Sequence, residues 1–122
     1  MTAPRPLEIR LKKDRRTLHV GFDNGEAFDL PAEYLRVMSP SAEVQGHSPE
    51  QRQTVGGKRN VEIIKLEPVG HYAIRIVFDD LHDTGIFSWP YLLGLGREHA
   101  ERWQRYLGEL EEKGLSRDPP PR

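Results

Sequence analysis

The segment YAIRIVFDDLHDTGIFSWPYLL (residues 72–93) decides the fold class of this chain. Large apolar side chains recur at every second position over residues 72–78, which is the pattern of a half-buried strand. The Asp-Thr-Gly at residues 83–85 then predicts a turn before an aromatic strand end. Ser88 is a predicted N-cap, and Pro90 lies in the first turn of the helix that follows. This succession of strand, turn and helix start predicts a domain that mixes α and β structure.

The residues before this segment predict further short strands. Apolar residues alternate with polar ones over residues 7–11 and again over residues 18–22, as in half-buried strands. The charged stretch 12–16 between them predicts a polar hairpin connection. Asp-Asn-Gly at residues 23–25 predicts a second tight hairpin turn, because Asn-Gly accepts positive φ angles. A third strand over residues 26–30 is therefore expected.

A short helix and a long irregular segment are predicted after the third strand. Pro31 suits the start of a helical turn because a helix leaves its first N–H groups unpaired. Residues 38–60 show no periodicity, and a loop of that length inside a compact domain is typically functional or disordered. Strand character returns over residues 61–66. We therefore expect the sheet to resume after the long loop.

The C-terminal part of the chain predicts helices. We expect Gly94 and Gly96 to interrupt the helix after Ser88, because each glycine costs about 1 kcal/mol against alanine in a helix interior. Apolar side chains at helical spacing predict a second helix over residues 97–113, which Gly114 ends as a C-cap.

The predicted fold class is α+β, with a small antiparallel sheet of about five to six strands. A short helix follows the third strand, and helices end the domain. The predicted boundaries are a disordered N-terminus at 1–6, one domain over 7–114 and a disordered proline-rich tail at 115–122.

Composition excludes several classes of function. The chain has 122 residues, with 18 basic and 19 acidic residues and a net charge of −1, which argues against electrostatic capture of nucleic acid or of an anionic membrane. It has no cysteine, so disulfides, thiolate nucleophiles and cysteine-ligated metals are excluded. No segment approaches the roughly 20 apolar residues of a membrane span, and residues 1–6 lack the apolar run that a secretory signal needs. These features predict a cytoplasmic protein that does not enter membranes.

Several separate motifs, in the same order, resemble the gamma-butyrobetaine hydroxylase-like N-terminal domain family. This resemblance covers residues 7 to 112 and implies a stand-alone bacterial protein of a family largely without assigned function. The motifs that carry it are LPAEYLR (30–36), SPSAEV (39–44), LEPVG (66–70), YAIRIVF (72–78) and HDTGIFSW (82–89).

The resemblance also implies a metal site that this chain carries only in part. In full-length hydroxylases of the family, this domain precedes an oxygenase domain and holds a structural zinc ion through three cysteines and one histidine. Here Ser39, Ser41 and Val44 stand where the thiolates would be, and only His82 matches the ligand set. Other relatives are fused to P-loop ATPases that carry iron–sulfur clusters. The resemblance thus points to zinc or iron, although the family's cysteine ligands are absent.

Catalytic patterns are missing from the sequence. A non-haem iron facial triad usually places an acid two residues after its first histidine, but Thr84 occupies that position after His82. Ser39 and Ser41 lie in no Gly-x-Ser-x-Gly nucleophile elbow. We therefore predict that the chain is not an enzyme.

The leading hypothesis is an accessory or interaction domain for a protein partner. Its working surface would combine the 38–60 loop with the 82–89 segment, and Trp89 and Tyr91 would form the interaction surface, since these residue types are enriched at binding hot spots. The fusions found among relatives connect such a partner with metal or iron–sulfur proteins.

Two alternatives stay open at the level of sequence. The first is a small metal-binding protein that uses His47, His82 and the aspartates Asp79, Asp80 and Asp83, because two imidazoles and a carboxylate can bind a divalent metal such as zinc or iron. The second is nucleic-acid binding through the basic stretches 12–16 and 58–59. The balanced net charge and the lack of an adjoining aromatic stacking motif argue against nucleic acid as a partner.

Overall fold

A computed structural model describes residues 3–120 of the protein. Within these residues the chain forms six strands and four α-helices. In chain order they are β1 (Pro6–Leu11), β2 (Thr17–Phe22), β3 (Ala27–Pro31), α1 (Ala32–Val37), α2 (Ala42–Gln45), β4 (Ile63–Val69), β5 (Ala73–Phe78), β6 (Ile86–Ser88), α3 (Trp89–Arg97) and α4 (His99–Glu112). No helix of this part of the chain has the length and apolar character needed to cross a membrane.

The strands confirm the α+β prediction and divide into two antiparallel sheets. One sheet has the order β1-β2-β3 and the other has the order β4-β5-β6. A short helix follows the third strand and two helices end the domain, as expected. The two sheets meet at the tip of the first hairpin, where the Ile63 N–H donates to the Arg15 carbonyl at 2.8 Å. Six strands are therefore present, in two sheets of three.

The outer strands β1 and β4 each carry a β-bulge. The pairing register skips Leu7 in β1 and Ile64 in β4, and these side chains are 79% and 51% exposed. Pro6 and Pro68 lie in the same two strands and cannot donate a ladder hydrogen bond. Bulges and prolines both discourage an outer strand from pairing with another strand. The alternation of residues 7–11 predicted a strand correctly, but the bulge turns Leu7 towards solvent.

Helix α3 passes through both glycines, so the predicted interruption at Gly94 and Gly96 is wrong. A Cβ atom at Gly96 would lie 2.5 Å from the ring of Phe28 in β3. The glycine therefore serves a close helix–sheet contact that sequence spacing does not reveal. The start of α3 agrees with the prediction, because the Ser88 hydroxyl accepts a hydrogen bond from the Tyr91 N–H.

One hydrophobic cluster joins both sheets to α1, α3 and α4. The Tyr34 hydroxyl donates to the Leu95 carbonyl at 2.8 Å, which satisfies a buried polar group inside this core. The largest fully buried side chains of the cluster are Tyr34, Tyr106, Phe78, Phe87, Leu18, Leu30, Leu35, Ile63, Ile76, Leu92, Leu95 and Val20.

The long loop and the C-terminal segment both contact the core domain. Within the loop, α2 buries Val44, whose carbonyl accepts from the Gln53 N–H at 2.6 Å. Beyond Gly114, the Ser116 carbonyl accepts from the Gly57 N–H, and the guanidinium of Arg117 donates twice to Glu33, at 2.7 and 2.8 Å. The tail predicted to be disordered over 115–122 therefore begins with residues that contact the domain.

The ends of the predicted disordered segments lie outside the described residues. They are residues 1 and 2 of the N-terminus and residues 121 and 122 of the tail.

Candidate functional site

The histidine of the HDTG turn is buried at the centre of a polar network that reaches the surface at Glu43 and Thr84. His82 is 4% exposed and lies between β5 and β6. Its Nε2 lies 2.8 Å from the Ser39 Oγ, and its Nδ1 lies 3.2 Å from a Glu43 carboxylate oxygen. Ser41 and Thr84 complete the network, with their hydroxyl oxygens 2.7 Å apart. We call these five residues (Ser39, Ser41, Glu43, His82 and Thr84) the polar latch.

The partners in the polar latch define the direction of every hydrogen bond. Glu43 is the only anion of the set, so His82 Nδ1–H donates to one carboxylate oxygen and the Thr84 hydroxyl donates to the other. His82 Nε2 then accepts from the Ser39 hydroxyl, and the Thr84 oxygen accepts from the Ser41 hydroxyl. Both ring nitrogens of His82 are thus occupied in its neutral form.

One glycine and one helix cap explain why the local sequence folds in this way. A Cβ atom at Gly85 would lie 2.5 Å from the Ser39 Oγ, so only glycine lets the turn approach the α1–α2 connection this closely. Ser41 is the N-cap of α2, and its hydroxyl oxygen accepts from the Glu43 N–H at 3.2 Å. This cap holds Glu43 where its carboxylate reaches the His82 Nδ1.

Charged groups beside the latch affect the protonation of His82. Burial lowers the pKa of His82 below its usual 6.5, and the nearby Arg36 guanidinium lowers it further, although Glu43 and Asp80 oppose both. Burial alone would raise the pKa of Asp80, but hydrogen bonds from Lys58 and Arg36 bring it below its usual value. The Lys58 Nζ and Arg36 Nε lie 2.6 and 2.8 Å from Asp80. His82 is therefore neutral near pH 7.

The predicted metal ligands are spread over different parts of this region. His47 is exposed, and its backbone N–H donates to the Gln51 side chain at 2.8 Å. Asp79 accepts from the Glu62 N–H at 3.0 Å, and Asp80 is bound to two cations. Within residues 3–120, no group of three or more His, Asp or Glu side chains is placed to hold a metal ion. Among acidic side chains the His82 ring contacts Glu43, rather than the neighbouring Asp83.

The residues present do not fit the zinc site that the family resemblance implies. Ser39 and Ser41 offer neutral hydroxyls, which bind zinc weakly compared with thiolates. Val44 has no donor atom and is buried in α2. No sequence pattern selects Glu43 as a partner of His82, because the two residues lie 39 positions apart. Its only local signal is an acidic residue in the first turn after a serine N-cap.

Trp89 and Tyr91 line separate surfaces. The Trp89 indole N–H donates to the His71 carbonyl at 2.8 Å, and its backbone N–H donates to the Tyr72 carbonyl at 3.1 Å. Trp89 lines three neighbouring cavities, of about 240, 350 and 420 Å³, which run along β1 and the β4–β5 hairpin. We call this surface the Trp89 groove. Its polar residues are Arg5, Asp23 and His71, and its apolar residues are Ala3, Pro4, Pro6, Leu7, Ile9, Leu66, Pro68, Tyr72, Ile74, Trp89 and Pro90.

Tyr91 faces the long loop and helix α4. Its hydroxyl donates to the Met38 carbonyl at 2.6 Å, and the Arg102 guanidinium lies 5.9 Å from the centre of its ring. A cavity of about 370 Å³ opens beside it, which we call the arginine pocket because Arg52, Arg102 and Arg105 line it. The two aromatic residues that the sequence grouped as one interaction surface therefore belong to two different surfaces.

Several cations of the basic stretches form ion pairs within the domain. Lys12 lies 3.2 Å from Asp29 and Arg16 lies 3.6 Å from Glu62. In the second stretch, Lys58 binds Asp80. These pairs reduce the charge that either stretch offers to phosphates.

Comparisons with known proteins agree with the motifs of the sequence. The family model described as gamma-butyrobetaine hydroxylase-like, N-terminal, matches residues 9–93. Two NMR solution structures are each 44% identical in sequence to this chain, with TM-scores of 0.83 and 0.82. The alignments cover 99% and 98% of this chain and 95% and 92% of the respective solved chains. A crystal structure from Acidithiobacillus ferrooxidans, of a DUF971-family protein with unknown function, is 40% identical with a TM-score of 0.63. It covers 75% of this chain and 92% of its own. No curated protein matches the chain.

Proposed function

Since the chain belongs to the gamma-butyrobetaine hydroxylase-like N-terminal family, we propose that it is a non-enzymatic interaction domain for a partner protein. The Trp89 groove is the surface that would bind this partner. The proposal rests on the chemistry of two regions, the polar latch and the groove.

The polar latch supports a structural role for His82. A general base needs a ring nitrogen that can reach a substrate proton. Both nitrogens of His82 instead bind protein groups, Ser39 on one side and Glu43 on the other, and the ring is buried. The latch ties the α1–α2 connection to the turn before β6, which holds the start of α3 in place. Its contribution to function is therefore to position Trp89.

The observation that carries the proposal is the exposed apolar character of the Trp89 groove. Leu7 is 79% exposed and Tyr72 is 62% exposed, and both line cavities that share Trp89. Contiguous exposed apolar surface on a small domain usually marks an interaction site. Tryptophan and tyrosine also contribute disproportionately to binding energy at protein interfaces.

The groove is built to receive side chains rather than an added strand. The bulges at Leu7 and Ile64 and the prolines Pro6 and Pro68 interrupt the hydrogen-bonding edges of β1 and β4. One hydrogen bond from the Trp89 indole N–H and one from its backbone N–H hold the residue in place before any partner arrives. A fixed ring loses little conformational entropy on binding, which favours affinity.

We expect the partner to be a cytoplasmic protein that handles metals or iron–sulfur clusters. Support comes from the family resemblance, because relatives of this domain are fused to ATPases that carry such clusters. This chain would then act as an accessory subunit that brings its partner into an assembly, without a metal of its own.

Co-isolation with matched surface variants tests the proposal. The chain would be expressed in its native host with a tag, and proteins retained in stoichiometric amounts would be purified and titrated against it. Leu7→Asp and Tyr72→Asp place a charge in the Trp89 groove, so we expect at least a roughly 30-fold loss of affinity, as for hot-spot residues. Leu81→Asp is the matched control, because Leu81 is 88% exposed but lies outside the groove.

The pattern of partner retention across these variants decides whether the Trp89 groove is the binding surface. Retention of one partner by the wild type and by Leu81→Asp, but not by the groove variants, supports the proposal. Equal binding by all variants, or the absence of any stoichiometric partner, contradicts it.

A further inference from the structure

The arginine pocket lies between the long loop and helix α4, on a different surface from the Trp89 groove. Its volume is about 370 Å³. Tyr91 and Tyr106 form part of its wall, and their hydroxyls donate to the Met38 and Val55 carbonyls of the loop. This volume is within the usual range for sites that bind small molecules.

The spacing of α4 explains how the charged side chains converge. Arg102, Arg105, Tyr106 and Glu109 follow one another at intervals of three, one and three residues, which places them on one face of a helix. Arg52 approaches the same face from the long loop and pairs with Glu109. Three guanidinium groups thus meet one carboxylate in the pocket.

Two of these guanidinium groups have hydrogen-bonding capacity left over. The Nε of Arg102 is buried without a hydrogen-bond partner, and the nearest carboxylate oxygen, on Glu98, lies 3.5 Å away. Across residues 3–120, no ion pair involves the Arg105 side chain, although it lines the cavity. A buried donor without a partner costs free energy unless another group binds it.

We propose that the arginine pocket binds a small organic anion that carries phosphate or carboxylate groups. The planar forks of Arg102 and Arg105 match the two oxygens of such a group, and charge-assisted bonds of this kind are stronger than neutral ones. Arg52 pairs with Glu109, and Arg102 lies 3.5 Å from Glu98, so Arg105 is the cation of the pocket without an ion pair within residues 3–120 and gives the pocket a net positive charge that suits an anion. The ring of Tyr91, under Arg102, offers an apolar face for the carbon part of the ligand.

Calorimetric titration of the full chain tests this site with two probes, sodium pyrophosphate and sodium succinate, at constant ionic strength with chloride as the reference. We expect saturable binding of at least one probe with one site per chain. Arg105→Gln removes a donor that makes no other ion pair, so affinity should fall roughly tenfold or more without loss of folding. Glu109→Gln removes the one carboxylate and releases Arg52, so affinity should rise.

Controls separate this site from general charge attraction and from the partner surface. Lys13→Gln alters the basic hairpin tip and should leave probe binding unchanged. Leu7→Asp, in the Trp89 groove, should also leave it unchanged, so failure of the partner proposal would not affect this result. The proposal is overturned if neither probe gives saturable heat, or if Lys13→Gln weakens binding as much as Arg105→Gln does.

Discussion

The substitution Gly85→Ala tests the packing of the polar latch. Gly85 does not have a positive φ angle, so alanine introduces no backbone strain there. Its Cβ would lie 2.5 Å from the Ser39 Oγ, which is closer than real contacts allow, and 3.1 Å from a ring carbon of Phe87, which is a tight contact. Overpacking of this kind costs about 1–3 kcal/mol, and displacement of Ser39 from His82 adds about 1 kcal/mol. We therefore expect a loss of about 2–4 kcal/mol in the free energy of unfolding.

Urea unfolding followed by circular dichroism measures this loss, provided that the denaturant slope is unchanged. Gly108→Ala is the matched control, since its Cβ would meet no atom within 4 Å on the exposed face of α4. This control should gain about 0.5–1 kcal/mol from helix propensity. In the double variant with Ser39→Ala, the clashing oxygen is gone, so the combined cost should be smaller than the sum of the single costs. A Gly85→Ala protein whose free energy of unfolding lies within about 0.5 kcal/mol of the wild type would show that Gly85 is not tightly packed against Ser39.

Three further predictions concern pH, the C-terminal segment and metals. Burial lowers the pKa of His82 and of His99 below 6.5, so below that pH the unfolded chain binds protons that the folded chain does not. The urea midpoint should therefore decrease as the pH is lowered from 7 to 5, and it should decrease less in His82→Gln. An identical pH dependence in the variant would contradict the role of His82 in this decrease. Deletion of residues 115–122 removes Arg117 and leaves the buried Glu33 unpaired, which should lower the free energy of unfolding by about 2 kcal/mol. Deletion of residues 119–122 alone should leave the free energy of unfolding nearly unchanged. Zn²⁺ should leave the melting temperature unchanged because both His82 nitrogens are bound, and a rise that is lost in His82→Gln would support the metal-binding alternative.

The local elements of the fold follow from local patterns in the sequence. The alternation over residues 72–78 predicted β5, and Ser88 predicted the start of α3, because both depend on neighbouring residues only. The division of six strands into two sheets depends on which edges pair, and the bulge at Leu7 in an outer strand is invisible to a period-two pattern. The helix through Gly96 was missed for the same reason, because its cause is a contact with Phe28 in another element.

The candidate sites were predictable only as single residues. His82 and Trp89 stand out in the sequence, and the structure shows that each is held by hydrogen bonds to distant residues. The partner of His82, Glu43, comes from a loop without periodicity, so no spacing rule connects the two. Trp89 and Tyr91 are two positions apart on a helix and therefore face different sides, which separates the groove from the arginine pocket.

Hydrogen exchange of the free and partner-bound chain tests the central claim, that the Trp89 groove is the interaction surface, most directly. We expect slower amide exchange over residues 5–9 and 66–74 on binding, with residues 99–112 of α4 unchanged. Protection confined to α4 and the long loop, with the groove segments unaffected, would contradict it.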